Sequence, residues 1–246
     1  MGVQPGQVAV LEIRRPPINF FDIDLIRDLA GALERLADDG ECRAVVLCSE
    51  GKHFCAGANF GSGERHSGIS REDEHLYDVA IRLFEQPLIV AAIQGAAIGG
   101  GLGLALAADF RVACSEARFS ANFARLGFHH GFGLSVTLPM VVGHQRSLEL
   151  LYTGRRIDGD DALRIGLCDR LVPLVDVRSA SMAFADDIAT LKRGRASLGR
   201  GAYSFVPVVS LDQAVLLGFL AHQCGADVVG EMSAHGLSNG PNRQWR

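Results

Sequence analysis

The spacing of apolar residues predicts alternating strands and helices along the first half of the chain. Alternating apolar positions in VAVLEI, closed by a Pro-Pro pair, predict a strand. Apolar residues then recur every three or four positions from Ile23 to Ala37, which predicts a helix with Asp22 as its N-cap and Gly40 as its stop. The unbroken apolar runs AVVLC and LIVAAI are typical of strands buried on both faces. This alternation indicates an α/β layer fold.

Helical spacing dominates the second half of the chain. It already occurs in the first half, in EHLYDVAIRLFEQ, and after Phe119 most segments have the helical period, including DVRSASMAFADDIATL. Because no linker-like stretch interrupts the chain, we expect a core over residues 1–175, followed by a helical part over residues 176–246 that packs outside that core or onto a partner subunit.

The longest uncharged stretch runs from Gln86 to Ala108 and is long enough to be considered as a membrane span. It also contains Gln94 and three consecutive glycines at 99–101, and glycine weakens a helix that lipid alone surrounds. We therefore expect a buried strand, a glycine turn and a buried helix here, and no membrane span.

Composition narrows the classes of function. The chain has 246 residues, 48% of them hydrophobic, and a formal net charge of -4, so it lacks the basic surface that nucleic-acid binding needs. Its six cysteines form no C-x-x-C pair, which predicts reduced thiols and no metal site. The first residues lack the pattern of a signal peptide, and we expect a cytoplasmic location.

Two glycine-rich turns, HFCAGANF and AAIGGGLG, follow two of the predicted strands. Glycine lets a ligand approach the backbone closely, and a helix that begins at such a turn presents unpaired N–H groups. Nucleotide motifs do not fit, because Leu104 stands where a dinucleotide motif needs glycine and His53 follows Gly51-Lys52. The turns therefore suit a phosphate, or an oxygen that becomes negative during a reaction.

Four segments, RPPINFFD, RAVVLCSEGKHFCAGANF, PLIVAAIQGAAIGGGLGLALAADFRVA and LPMVVGHQRSLELLYTGRRIDGDDALRIGLCDRLVP, match one known family in order and spacing. They resemble the enoyl-CoA hydratase/isomerase (crotonase) superfamily over about residues 8–173. The resemblance implies the crotonase fold, a spiral of β-β-α units, and an acyl-CoA thioester as substrate. It also implies an oxyanion hole made by the N–H groups of Ala58 and Gly100, with coenzyme A running past Ala56 and Gly57. No cofactor is expected beyond the coenzyme A of the substrate.

The chain departs from this family at two positions that matter for the reaction. The family's hydratases use two glutamates, whose places are taken here by Gly103 and Phe123. The segment LGFHHGFG offers His130 and His129 as candidate acid/base groups, because imidazole titrates near neutral pH. Candidate residues of the substrate pocket are Asn122, Phe123 and Phe128.

These departures leave several functions open. The first is a family enzyme that stabilises a thioester enolate without the usual glutamates. The second is an acyl-CoA decarboxylase or isomerase with His130 as its acid/base, and the third is a catalytically silent protein that binds coenzyme A. The resemblance further implies a homotrimer or a hexamer built from two trimers, with residues 176–246 as the trimerisation region. An acyl-carrier-protein thioester remains an alternative substrate.

Overall fold

The computed structural model describes residues 7–38, 41–58, 70–71, 74–85 and 88–191. The strands are β1 Val8–Ile13, β2 Ala44–Ser49, β3 Ser70–Arg71, β4 Glu74–His75, β5 Ile89–Ile93, β6 Ala96–Ile98, β7 Phe110–Ala113, β8 Arg118–Ser120, β9 Ile157–Asp158 and β10 Arg170–Leu171. The α-helices are α1 Ile23–Asp38, α2 Leu76–Ile81, α3 Gly100–Leu106, α4 Leu134–Val142, α5 His144–Thr153, α6 Gly159–Arg164 and α7 Val177–Leu191. Short 3-10 helices span Arg82–Glu85, Asn122–Leu126 and Leu174–Asp176.

Five parallel strands form the main sheet, in the order β1-β2-β5-β7-β10. Every residue of β2 and β5 is buried, so the prediction that these apolar runs are fully covered strands is confirmed. The predicted strand VAVLEI is also confirmed, as the edge strand β1. The α/β layer fold is therefore present in the described residues.

Helix α1 begins where the sequence predicts. The Asp22 carboxylate accepts a hydrogen bond of 3.0 Å from the Leu25 backbone N–H, which confirms Asp22 as the N-cap. The apolar face of the helix, with Ile26 and Ala30 fully covered, packs into the core. The predicted stop at Gly40 lies outside the described residues.

A second sheet, β6-β8-β9, carries the first part of the site. Strand β6 pairs in parallel with β8, and β8 pairs antiparallel with β9. Strand β6 was not predicted, because a strand of three residues between a glycine and a glycine run has no measurable period. A single bridge between Cys55 and Ala97 joins this strand to the first glycine turn.

Helix α3 is buried along its whole length, from Gly100 to Leu106. The uncharged stretch thus forms β5, β6 and α3, as strand, turn and buried helix. No helix in the described part of the chain is long and apolar enough to cross a membrane.

Helix α7 packs against β2, β5 and β7 of the main sheet. Small residues, Ser181, Ala185 and Ala189, recur every fourth position and are fully buried, which allows the helix to lie close to the strands. The predicted boundary at residue 176 therefore does not separate α7 from the core. The remainder of the predicted trimerisation region, residues 192–246, lies outside the described residues.

Candidate active site

Two side-chain amides hold the segment that leads into the first glycine turn. Asn19 is fully buried and donates to the carbonyl oxygens of Glu50 at 2.8 Å and His53 at 2.7 Å. Gln94 donates to the carbonyls of Ser49 at 2.9 Å and His53 at 3.3 Å. The backbone that precedes the turn is thus fixed from two sides, by a loop after β1 and by the end of β5.

Strand β6 fixes the first turn against the second. The Cys55 N–H donates to the Ala96 carbonyl at 2.8 Å, and the Ile98 N–H donates to the Cys55 carbonyl at 3.0 Å. Glycine is required at 101, because a Cβ there would lie 2.1 Å from the Cys55 carbonyl oxygen. The two glycine turns therefore contact each other through their backbones.

The loop after β1 holds the other side of the first turn. The Ala56 N–H donates to the Ile18 carbonyl at 3.0 Å, and the Phe21 N–H donates to the Gly57 carbonyl at 3.1 Å. Gly57 has a φ of +115°, a conformation that L side chains rarely adopt. These bonds fix the peptide that ends in the Ala58 N–H.

The second turn is built around Gly99, whose φ is +58° and whose N–H donates to the Ser120 carbonyl at 2.8 Å. The N–H groups of Leu102 and Gly103 both donate to the Gly99 carbonyl, which starts helix α3. Within the described residues, the N–H groups of Ala58 and Gly100 make no hydrogen bond. Both are thus available to a ligand.

An aromatic wall, formed by Phe21, Phe132 and Tyr77, lies beside Gly100. A Cβ at Gly100 would come within 2.4 Å of the Phe21 Cζ atom. The Phe21 and Phe132 ring centroids are 5.2 Å apart, and Tyr77 meets Phe132 edge-on at 6.5 Å. The space next to the second turn is therefore bounded by apolar rings.

Phe132 occupies the space beside Gly103, one of the two positions at which the resemblance implies a glutamate. It is buried, and a Cβ at Gly103 would lie 2.6 Å from the Phe132 Cβ and 2.7 Å from its carbonyl oxygen. The backbone at Phe132 adopts a φ of +54°. Position 103 has no room for any side chain while Phe132 stays in place.

The predicted pocket residues Asn122 and Phe123 lie at the second turn. A Cβ at Gly99 would be 2.9 Å from the Asn122 Oδ1 atom and 3.8 Å from the Phe123 ring. The Phe123 ring therefore lies beside the second turn. Phe128 joins this group through its backbone, because its N–H donates to the Phe123 carbonyl at 3.0 Å, and the residue is 41% exposed.

His130 is the predicted acid/base candidate that the structure brings to this turn. Its ring meets Phe123 edge-on at 6.4 Å, and its Nδ1 atom is buried without a hydrogen-bond partner in the described part of the chain. Burial, with a smaller effect from the charge of His129, lowers the pKa of His130. His129 itself is exposed, with its Nδ1 atom 3.0 Å from the His130 carbonyl oxygen.

Tyr77 is the functional candidate that sequence reasoning missed. A Cβ at Gly131 would lie 1.8 Å from the Tyr77 hydroxyl oxygen and 3.3 Å from a Phe123 ring carbon, so both rings border that glycine. Burial raises the pKa of Tyr77 to about 12, and a hydrogen bond from the Phe132 backbone N–H opposes that rise. No signal in the sequence marks Tyr77, because it stands off the apolar stripe of its helix.

The site has no thiolate and no metal centre among the described residues. Burial raises the pKa of Cys55 to about 12, so the thiol beside the first turn stays protonated. No group of three or more metal-ligating side chains occurs in residues that the structure describes. The polar groups that the described residues bring to the site include backbone N–H groups, the His130 imidazole and the Tyr77 phenol.

Comparison with known proteins identifies the family. The family model for enoyl-CoA hydratase/isomerase matches residues 4–198. A probable enoyl-CoA hydratase, EchA12 of Mycobacterium tuberculosis, is 37% identical over 204 residues, which cover 76% of this chain and 70% of that protein. The chain belongs to the enoyl-CoA hydratase/isomerase family. Its membership confirms the prediction of an enzyme of this family.

Solved structures similar to this enoyl-CoA hydratase/isomerase family member confirm the predicted crotonase fold. An enoyl-CoA hydratase/isomerase from Pseudoalteromonas atlantica matches with a TM-score of 0.80 and 26% identity, covering 88% of each chain. DspI of Pseudomonas aeruginosa matches with a TM-score of 0.69 and 32% identity, covering 76% of this chain and 73% of that chain.

Proposed function

We propose that this protein binds an acyl-CoA thioester and stabilises its enolate with the backbone N–H groups of Ala58 and Gly100. Family membership supports a thioester of coenzyme A as the substrate class. The two N–H groups, left unpaired on adjacent fixed turns, support the oxyanion hole. Coenzyme A would run along Ala56 and Gly57, and no further cofactor is needed.

The oxyanion hole acts on charge that forms during the reaction. Removing a proton beside a thioester carbonyl moves electrons onto its oxygen, and two fixed donors stabilise that oxygen without reorganising. Each such donor contributes on the order of 3 kcal/mol of transition-state stabilisation. Preorganisation comes from the bonds of Phe21 to Gly57 and of Gly99 to Ser120.

Proton transfer, and not water addition, is the reaction that the site supports best. The observation that carries this choice is that Phe132 occupies the space that a side chain at Gly103 would need, and Phe123 stands where the resemblance implies the second glutamate. Without two carboxylates, the site cannot position and activate a water in the usual way. His130 is the proposed base, because its lowered pKa keeps the imidazole neutral and able to accept a proton.

Decarboxylation is the second candidate reaction. It would use the same enolate, and the apolar rings of Phe21 and Phe132 beside Gly100 favour it, because poor solvation destabilises a substrate carboxylate. His130 would then supply the proton that replaces carbon dioxide.

The test is deuterium exchange at the α-carbon of a panel of acyl-CoA thioesters in D2O, followed by mass spectrometry. The panel includes saturated, 2-enoyl, 3-enoyl and malonyl-type thioesters. We expect exchange or turnover without hydration of crotonyl-CoA. Strong hydration would contradict the proton-transfer proposal, and thioester binding without any exchange would favour the silent coenzyme A-binding protein.

A backbone ester tests each donor without changing a side chain. Lactic acid at position 58 or glycolic acid at position 100 replaces one N–H by oxygen and avoids the contact with Phe21 that a side chain at 100 would make. Each ester should slow exchange by about 100-fold or more. Exchange at the wild-type rate in both esters would refute the oxyanion hole.

The assembly, carrier and location belong to the same proposal. We propose a homotrimer or a dimer of trimers, free coenzyme A as the carrier with acyl carrier protein as the alternative, and a cytoplasmic location. Sedimentation of the full chain distinguishes the trimer and the hexamer from a monomer.

A further inference from the structure

We infer that the Tyr77 hydroxyl is the proton donor of this site and works with His130 as the proton acceptor. This inference rests on the proposed thioester chemistry and assigns the second half of the proton transfer. It begins from the position of Tyr77 in helix α2, which is far from both glycine turns along the chain.

Tyr77 lies in the first turn of helix α2, and its side chain extends from there to the site. His75 caps helix α2, and its Nδ1 atom accepts a hydrogen bond of 3.2 Å from the Tyr77 N–H. The Tyr77 ring then lies edge-on against Phe132, the residue that fills the space beside Gly103. The Tyr77 ring therefore contacts the residue that occupies the space beside Gly103.

Gly131 leaves the space that the Tyr77 hydroxyl occupies. Any Cβ at position 131 would overlap that oxygen, since the two would be 1.8 Å apart. The same point borders the Phe123 ring, and the Phe123 ring in turn meets the His130 ring. Tyr77 and His130 thus flank one aromatic residue, which stands in the second glutamate position.

The two groups are tuned for opposite roles. Burial keeps Tyr77 protonated, with a pKa of about 12, and lowers the pKa of His130 so that the imidazole is neutral. Two titratable groups whose surroundings move their pKa values apart are suited to act as acid and base in one reaction.

The proton balance closes for a double-bond shift in a 3-enoyl thioester. His130 takes the α-proton, the C–H bond breaks, and its electrons move to the carbonyl oxygen held by Ala58 and Gly100. Tyr77 then gives its proton to the γ-carbon, where a C–H bond forms as the double bond moves to the 2-position. The imidazolium returns its proton to the phenolate oxygen, and both residues regain their starting forms.

The experiment compares Tyr77→Phe, His130→Gln and Gly131→Ala with the control Tyr152→Phe, whose tyrosine is 75% exposed. Two rates are measured on the full chain in D2O: α-carbon exchange of a saturated acyl-CoA and the double-bond shift of a 3-enoyl-CoA. Tyr77→Phe should slow the double-bond shift by about 100-fold or more and slow α-exchange by a much smaller factor, because only the donor is removed. His130→Gln should lose both, and Tyr152→Phe should lose neither.

The outcomes separate this inference from the proposed function. Absence of α-exchange by wild type with every thioester would overturn the proposed function. If wild type exchanges the α-proton and Tyr77→Phe shifts the double bond as fast as wild type, the role of Tyr77 alone is overturned. The same holds if wild type exchanges the α-proton but does not shift the double bond. Gly131→Ala keeps the phenol but displaces its oxygen, so a loss that matches Tyr77→Phe supports the position, and a wild-type shift rate in Gly131→Ala contradicts it.

Discussion

Phe132 occupies the space that a side chain at position 103 would need, with its Cβ 2.6 Å from where a Cβ at Gly103 would lie. The residue is 2% exposed and adopts a φ of +54°, so its backbone is held in the left-handed region by the surrounding core. Gly103 and Phe132 therefore form one packing unit, in which a change at either position requires a change at the other.

Gly103→Glu should not create a hydratase and should destabilise the fold. The new side chain would collide with the Phe132 backbone, and overpacking of a core costs about 1–3 kcal/mol or more. Urea unfolding measures the loss, and crotonyl-CoA hydration measures the activity. The control is Gly31→Ala, another helical glycine, whose Cβ would meet only the end of the Arg35 side chain at 3.4 Å and should stabilise the helix slightly.

Phe132→Gly should partly rescue Gly103→Glu. Glycine accepts the positive φ at 132 and removes the Cβ and ring atoms that collide, while the carbonyl oxygen 2.7 Å from the new Cβ remains, so the rescue is partial and the two changes should be non-additive by about 1 kcal/mol or more. A double-mutant cycle of unfolding free energies measures this coupling. Strict additivity would show that the two positions do not compete for the same space.

Asn19→Gly should destabilise the protein by about 2 kcal/mol, because its side chain makes three hydrogen bonds with the backbone and is fully buried. Asn19→Ala should lose about 1 kcal/mol more, since the φ of +50° at this position disfavours alanine. Unfolding by urea gives both values. Equal stability of the alanine and glycine variants would contradict backbone strain for alanine at this φ. A glycine variant as stable as wild type would contradict a stabilising role for the Asn19 side-chain hydrogen bonds.

His130 should make stability depend on pH in the acid range. Because burial lowers its pKa below the usual value of about 6.5, the unfolded chain binds a proton before the folded protein does. The contribution of the neutral His130 to the free energy of unfolding is therefore complete above about pH 6.5, and it is lost as the pH falls through the lowered pKa. When unfolding free energies are measured from pH 7 downwards, wild type should lose stability faster than His130→Gln. A constant difference between them would contradict the shift.

Tyr77 should make stability depend on pH in the alkaline range. Its pKa of about 12 lies above the usual value of about 10, so the unfolded chain loses this proton first. The contribution is complete below about pH 10 and is lost as the pH rises towards 12. Wild type should lose stability faster than Tyr77→Phe over this interval, while Tyr152→Phe should follow wild type. Parallel curves for wild type and Tyr77→Phe would contradict the buried phenol.

Strands β1, β2 and β5 of the main sheet could be predicted from the sequence because the signal for each lies within its own residues, whereas β10 was not predicted. The runs in β2 and β5 are apolar throughout, and burial between layers requires that composition whatever their neighbours are. Strand β6 could not be predicted, because its three residues become a strand only by pairing with Arg118–Ser120 of β8. Short strands depend on partners that are distant along the chain.

The candidate site divides in the same way. The glycine turns could be predicted because Gly57 and Gly99 adopt positive φ angles that favour glycine, which makes the turns evident in the sequence. The resemblance then implied Ala58 and Gly100 as the donors. The roles of Phe132 and Tyr77 were not visible, because they arise from contacts between helix α2, helix α3 and the turn before α4. Which side chains line the site can be determined only from the three-dimensional arrangement of the helices and turns around it.

Helix α7 also affects the order in which the chain can become native. Its buried alanines, Ala185 and Ala189, pack on the strands β2, β5 and β7, which all precede the helix in the chain. One face of the sheet is therefore exposed to solvent until the chain beyond residue 177 has been synthesised. Parallel strands joined over long separations already fold slowly, and their exposed apolar surface favours aggregation meanwhile. A chain that ends before α7 would therefore expose apolar surface that chaperones bind, and it would not fold into a functional protein.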